Sequence, residues 1–245
     1  MLGIAPTGVP DVLLSMSGAV PDVVELVGLS ARFLRMRADG AIGAFRQQAS
    51  AAGASAIEGR VVAGDPAEII SGFGRCADLL VVGQEDGSSA DALPLQLPPV
   101  LFRTGRPLLI MPSVGSADST GKNVLVAWKD TREAAGAVRD ALPLLVRAEK
   151  VTLLHVSESV GPGEAGRPPL ADVTSWLSRH GVRVTERLDP GSQDVGESID
   201  FQVAAVGADL LVMGGYGHSR FREWMFGGAT RHVLERMTVP VLMSH

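Results

Sequence analysis

Gly214, Gly217, Gly227 and Gly228, with Thr230 two residues further on, are the residues of this chain whose types and spacing best suit chemistry. They lie in the stretch Ala208-Asp-Leu-Leu-Val-Met-Gly-Gly-Tyr-Gly-His-Ser-Arg-Phe-Arg-Glu-Trp-Met-Phe-Gly-Gly-Ala-Thr230. Its apolar run at 210–213 has the length of a strand buried on both faces, and a helical pattern opens at Gly227 and ends near Met237. Glycines let backbone N–H groups approach a ligand closely, and a helix start offers unpaired donors with a partial positive charge. Strand, glycine turn and helix start together suit a phosphate. The same glycines can also end a strand and allow tight packing. Thr230 offers a hydroxyl at the helix start or acts as a plain cap. Arg220, Arg222, Arg231 and His218 stand nearby, either as phosphate partners or as solvated side chains.

The spacing Gly214-x-x-Gly217, nine residues, Gly227 resembles the signature of the universal stress protein family. The resemblance implies an open α/β fold of the Rossmann-like, adenine nucleotide alpha-hydrolase-like kind, with the triphosphate of ATP against this loop. Family members usually carry Ser or Thr directly after the last glycine; here that position is Gly228. The opposite wall implied by the resemblance is the end of the domain's first strand, Ala127-Trp128-Lys129-Asp130. An Asp usually follows that strand and contacts the nucleoside, whereas this chain has Lys129, then Asp130. A one-residue slip lets Asp130 serve, or Lys129 favours a different anionic ligand. Trp128 can stack on a base or pack at the rim. The implied cofactor is ATP or another adenine nucleotide.

The elements that must position these residues read as strands alternating with helices. In the second half, 123–128, 151–156, 182–188, 210–213 and 239–243 are strands. Helices fall at 131–146, with Thr131 as N-cap, at 170–179 and at 194–206, the last stopped by Gly207. Five strands joined by helical crossovers predict a doubly wound parallel sheet, with ligands beyond the carboxyl ends of the strands at the topological switch.

A repeat extends this reading to the first half. Ala77-Asp-Leu-Leu-Val-Val-Gly83 recurs as Ala208-Asp-Leu-Leu-Val-Met-Gly214, and Arg106-Pro-Leu-Leu-Ile-Met111 resembles Val239-Pro-Val-Leu-Met243. Two tandem α/β domains follow, at 1–112 and 122–245, with a polar linker at 113–121. The first is degenerate. Strands are expected at 1–6, 57–62, 79–82 and 108–111, with a helix at 66–75 and helical stretches in 21–53 broken near Gly40 and Gly43. Nothing in it corresponds to 122–150, so its first strand and helix are expected to be missing, through a late start or a truncated chain. Its loop, Gly83-Gln-Glu-Asp-Gly87, is acidic, and Leu93-Pro-Leu-Gln-Leu-Pro-Pro99 removes backbone donors, so this half is expected to pack and not to bind ATP.

Composition bounds the alternatives. The chain has 245 residues, 46% of them hydrophobic and 20% charged, with a net charge of −5. That charge argues against a nucleic-acid partner, and no stretch is long and apolar enough to span a bilayer; the expected location is cytoplasmic. The lone Cys76 excludes an internal disulfide and reads as a small buried hydrophobe. His155, His180, His218, His232 and His245 are scattered, and Glu197 with Asp200 reads as a solvated helix face. Phosphate-loop and nucleophile-elbow motifs are absent, so no catalytic residue is assigned, and slow ATP hydrolysis is the most expected by way of turnover. Two readings remain. One is a stress-response module with an adenine-nucleotide site in the C-terminal domain. The other keeps the fold without the ligand, as a dimerising interaction module, either a homodimer or an internal pseudo-dimer, through Pro107-Leu-Leu-Ile-Met111 and Val239-Pro-Val-Leu-Met243.

Overall fold

The computed structural model describes residues 1–8, 21–84, 95–114, 119–157, 170–190, 194–216 and 228–245, with 21–27 described by their backbone alone. The chain forms two units: Met1–Cys76 with Gly87–Thr104, and Ala77–Asp86 with Gly105–His245. This division does not coincide with 1–112 and 122–245, because two strands of the first half belong to the second unit.

In the first unit, β1 (Leu2–Pro6) pairs in parallel with β2 (Glu58–Val62), Leu2 facing Glu58 and Pro6 facing Val62. Between them runs α1 (Pro21–Ala51), 31 residues without a break. The expected interruptions at Gly40 and Gly43 do not occur. A glycine inside a helix costs about 1 kcal/mol relative to alanine, which weakens a helix without ending it. Ala38 and Ile42 of α1 bury themselves with Ala5 and Val61, and this contact holds the helix on the strands. Helix α2 (Pro66–Gly74) starts with Pro66 in its first turn, and Asp65 accepts the Glu68 N–H as its cap.

Cys76, expected to be buried, is exposed in the turn after α2. Helix α3 (Leu97–Thr104) was not anticipated: the sequence took the prolines of 93–99 only as residues that remove backbone donors. Both lie in its first turn, where no intrahelical N–H is required, and Val100, Leu101 and Thr104 are buried behind them.

The second unit is built on a seven-stranded sheet. Its strands are β3 (Leu80–Gly83), β4 (Leu108–Met111), β5 (Asn123–Ala127), β6 (Lys150–Val156), β7 (Val184–Asp189), β8 (Leu210–Gly214) and β9 (Val241–Ser244). Their order is β3-β4-β9-β8-β5-β6-β7, and all neighbours are parallel except β4 and β9. That antiparallel pair sets Leu108 against Met243, Leu109 against Leu242 and Ile110 against Val241. The internal pairing of these two repeat-related strands, raised as one alternative by the sequence, is therefore present. The four strands of the first half are divided between two sheets.

Helices α4 (Arg132–Leu145), α5 (Ala171–Arg179), α6 (Val195–Val206) and α7 (Gly228–Arg236) complete the unit. Val124, Val126, Val151, Leu153, Leu210 and Val212 of the central strands pack against Ala137, Val138, Ala141 and Leu145 of α4 and Leu177 of α5. Strands buried on both faces explain why these segments are nearly continuous apolar runs. Strand β5 lies between β8 and β6, so successive connections leave it in opposite directions, and a crevice opens at the carboxyl ends of β5 and β8. At the other end of the same strands, the Asp209 carboxylate accepts from Ser119 Oγ and from the N–H groups of Gly121, Lys122 and Asn123, at 2.8 to 3.1 Å. This fastens the entry of β5 to the head of β8. Among the described residues, no helix is long and apolar enough to cross a membrane.

Candidate functional site

A cavity of about 350 Å³ opens at the crevice. Ala127, Trp128 and Lys129 form one wall from the end of β5; Gly214 stands at the end of β8; Gly228 and Thr230 come from the start of α7. The structure thus brings six of the residues singled out by the sequence to one place. Asp130 is not among them: it is exposed and lines a separate groove with Arg132, Arg139 and Trp176, so Lys129 alone of the two reaches the cavity. Gly217, Gly227, His218, Arg220 and Arg222 lie outside the described residues. Arg231 is exposed and pairs with Glu235 one turn along α7, and it does not line the cavity.

The end of β8 meets the start of α4 with no room to spare. A Cβ on Gly214 would lie 2.5 Å from the Ala134 nitrogen and 2.6 Å from the Glu133 carbonyl carbon, so only glycine fits. The next residues are fastened as well. Gly215 N–H donates to the Ser244 carbonyl at 2.9 Å, and His245 Nδ1 lies 3.1 Å from the Gly215 carbonyl oxygen. Tyr216 adopts a left-handed backbone, φ 58°, and its N–H donates to the buried Thr230 hydroxyl at 3.4 Å. Thr230 therefore ties the loop to α7. Burial pushes the Tyr216 phenol up to about 12, so it is neutral at ordinary pH.

Gly228 begins α7, is exposed, and among the described residues has nothing within 4 Å of where a Cβ would stand. Trp128 lines both the cavity and the neighbouring groove. Its backbone N–H donates to the Leu154 carbonyl and its own carbonyl faces His155 Nδ1 at 3.3 Å, which gives His155 its partner at the rim.

Several lining residues were missed by the sequence. Thr131, Glu133 and Ala134 come from the start of α4, Leu154 and Val156 from the end of β6, and Asp194, Val195 and Ile199 from the start of α6. Thr131 caps α4 by accepting the Ala134 N–H, and Asp194 caps α6 by accepting the Gly196 N–H at 2.6 Å and the Glu197 N–H at 3.4 Å. The signal was available: each crossover helix of a parallel sheet starts at the carboxyl edge, so every N-cap is a candidate neighbour of the ligand.

Glu133 is buried, with 5% of its surface exposed. Burial alone would raise its pKa, but the Arg132 guanidinium, its own backbone N–H and the Thr131 hydroxyl outweigh this and hold it below the ordinary range. It is ionised.

A further correction concerns α6 and α7. Asp200, expected on a solvated face, faces His232 Nε2 at 2.9 Å, and Asp194 Oδ2 lies 3.9 Å from His232 Nδ1. A Cβ on Gly196 would lie 2.6 Å from the His232 side chain, so the two helices meet closely there. Among the described residues no three His, Cys, Asp or Glu side chains gather as a metal site.

An open α/β sheet with a cavity at its switch point, a glycine-terminated strand and a helix start beside the cavity defines a protein of the doubly wound class. A sequence profile described as the Universal stress protein family matches residues 121–245. The chain belongs to that family. Two solved structures agree on the fold. A universal stress protein from Archaeoglobus fulgidus DSM 4304 aligns with 88% of this chain and 78% of its own at 20% identity and a TM-score of 0.68. A protein of unknown function from Pseudomonas aeruginosa PAO1 aligns with 99% of this chain and 92% of its own at 14% identity and a TM-score of 0.58. A universal stress protein solved in complex with cAMP aligns with 51% of this chain and 97% of its own, at 21% identity and a TM-score of 0.40. A comparison with curated proteins finds no match.

Proposed function

We propose that this universal stress protein binds an adenine nucleotide in the cavity between β5, β8 and α7, and acts as a stress-response or regulatory module through its occupancy. One observation carries the reading. The start of α7, with no acidic residue in its first turn, opens into a cavity of ligand size that Trp128 also lines. Backbone donors there suit a phosphate, and an indole suits a base. Ala127 and Lys129 complete the nucleoside wall, Gly214, Gly228 and Thr230 stand on the phosphate side, and Gly217 and Gly227 are assigned to it by the sequence motif alone. Asp130 has no part. Binding is proposed without turnover, since none of the described side chains of the cavity forms a nucleophile–base pair. Mass spectrometry of small molecules released on denaturing fresh protein, followed by nucleotide titration, tests this: bound adenine nucleotide supports it, and a blank in both overturns it.

A second reading, assembly without ligand, draws on the pairing of β4 with β9. Since β9 already has β4 on one side and β8 on the other, a homodimer through β9 would have to displace β4. The internal pair stands in for a dimer at that edge, and we propose no homodimer through it.

A further inference from the structure

Helix α1 is much longer than the strands it packs on. Its 31 residues run for roughly 46 Å, whereas the five residues of β1 or β2 span about 17 Å. The buried residues described in α1 are Ala38, Ile42 and Ala49, all in its second half, and the stretch 28–37 holds none. Three large apolar side chains of that stretch stand in the open: Leu29 is 56% exposed, Phe33 50% and Met36 66%. Their spacing, four residues and then three, sets them in one stripe. By the same helical period the stripe lies on the side of α1 away from Ala38 and Ile42, so it is no extension of the core that holds the helix to β1 and β2.

Arg32, Arg35 and Arg37 are interleaved with the stripe, and all three are exposed. The helical period puts Arg32 and Arg37 on opposite flanks of it. The Arg37 guanidinium lies over the Phe33 ring, 5.9 Å from its centroid, with the cation beside the apolar surface. Among the described residues none of the three pairs with a carboxylate. Acidic residues of the same helix bound the cluster without cancelling it. Asp39 follows directly, while Asp22 and Glu25 stand at least seven residues before Arg32, roughly 10 Å along the helix and beyond the screening length of about 8 Å. Asp11 lies outside the described residues. The net charge of −5 hides this patch because it averages the whole chain.

We propose that the stretch 28–37 of α1 docks the protein on the surface of a membrane that carries anionic lipid. The helix lies along the interface, with Leu29, Phe33 and Met36 in the acyl boundary and Arg32, Arg35 and Arg37 at the lipid phosphates. Shape and charge both favour this occupant. The stripe is a convex ridge on a single helix, for which a protein partner must supply a matching trough, whereas a bilayer yields to it. A second copy would bring the same three arginines to the contact, and like charges repel. The attachment is peripheral, since among the described residues no helix is long and apolar enough to cross a membrane. The nucleotide cavity is built by the other unit, and the proposal does not depend on it.

The test is sedimentation of the whole chain with vesicles of phosphatidylcholine alone and of phosphatidylcholine mixed with phosphatidylglycerol, at low and at high salt. The wild type is expected to bind the mixed vesicles at least about ten-fold more strongly than the neutral ones, with the preference falling as salt rises. Phe33→Gln and Met36→Gln, both at exposed positions, are each expected to weaken that binding by about five- to ten-fold while the melting temperature is kept. The double variant Arg32→Gln/Arg35→Gln is expected to lose most of the preference for the anionic vesicles. No binding to the mixed vesicles, equal binding to both kinds, or binding that none of these variants alters overturns the proposal. So does a wild-type dimer in analytical ultracentrifugation that Phe33→Gln dissociates, which would give the stripe to a second copy of the chain. Should Phe33→Gln not fold, Met36→Gln and the double arginine variant decide.

Discussion

Gly214 packs directly on the backbone of Ala134, where a Cβ would lie 2.5 Å from the Ala134 nitrogen. The contact joins the last residue of β8 to the first turn of α4 and sets the depth of the cavity between them. The obstacle is backbone, which cannot swing aside as a side chain does. Gly214→Ala is therefore expected to destabilise the protein by about 1–3 kcal/mol, the cost of overpacking a filled site. Urea denaturation of the variant beside the wild type measures it, and an unchanged midpoint would show that β8 and α4 can part at no cost.

Gly228 presents the opposite case. Among the described residues nothing lies within 4 Å of where its Cβ would stand, so they leave room for a side chain. Gly228→Ser adds a hydroxyl at the start of α7, and one further hydrogen bond to a phosphate contributes about 0.5–1.5 kcal/mol. Affinity for AMP should rise by between two- and ten-fold with no loss of thermal stability. Weaker binding in the variant would place the phosphate elsewhere.

Asp209 gives a pH signature. Burial raises its pKa, but the Ser119 hydroxyl and the N–H groups of Asn123, Lys122 and Gly121 more than compensate, leaving it below the ordinary value of 3.8. A group depressed in the folded state contributes fully above its unfolded pKa, and the contribution disappears as pH falls through the folded one. The stability difference between wild type and Asp209→Asn should thus be constant near neutrality, at about 1.5–3 kcal/mol for hydrogen bonds to a charged acceptor, and shrink below pH 3.8. Unfolding curves at several pH values read this directly. A difference that persisted unchanged well below that value would mean the charge of Asp209 is irrelevant.

His232 joins α7 to α6 through Asp200 and packs on Gly196. Replacing it with alanine opens space beside Gly196 and leaves Asp200 without this partner. His232→Ala is expected to cost about 1–3 kcal/mol and to weaken AMP binding, because the start of α7 loses part of its support. Stability and affinity should fall together; loss of stability with full affinity would separate this contact from the site.

What the linear sequence revealed was local or repetitive. The apolar runs of β5, β8 and β9 were legible because strands buried on both faces have little choice of composition, and Thr131 was legible as a cap from the pattern that follows it. The pairing of β4 with β9 could be raised as an alternative because the two strands are copies of one motif. What escaped was tertiary. Gly40 and Gly43 look like breaks until the face carrying Ala38 and Ile42 is seen packed on β1 and β2. Pro98 and Pro99 count only as lost backbone donors until they fall in a first turn, where no intrahelical N–H is required. Glu133 and Asp194 look like ordinary helix-start residues, and only the parallel sheet sends both to one cavity. Asp200 carries no mark of its partner, which lies 32 residues away.

The central claim is that the start of α7 receives the phosphate of an adenine nucleotide. The measurement that tests it most directly is calorimetric titration of AMP into the wild type and into Gly228→Asp. The described residues leave room for the new side chain, and a carboxylate at a helix start does not oppose folding, so melting temperature should be kept or raised. The account predicts saturable binding to the wild type and at least about ten-fold weaker binding to the variant, since a fixed negative charge would occupy the phosphate's place. Equal affinity in the two proteins, or none in the wild type, would contradict it.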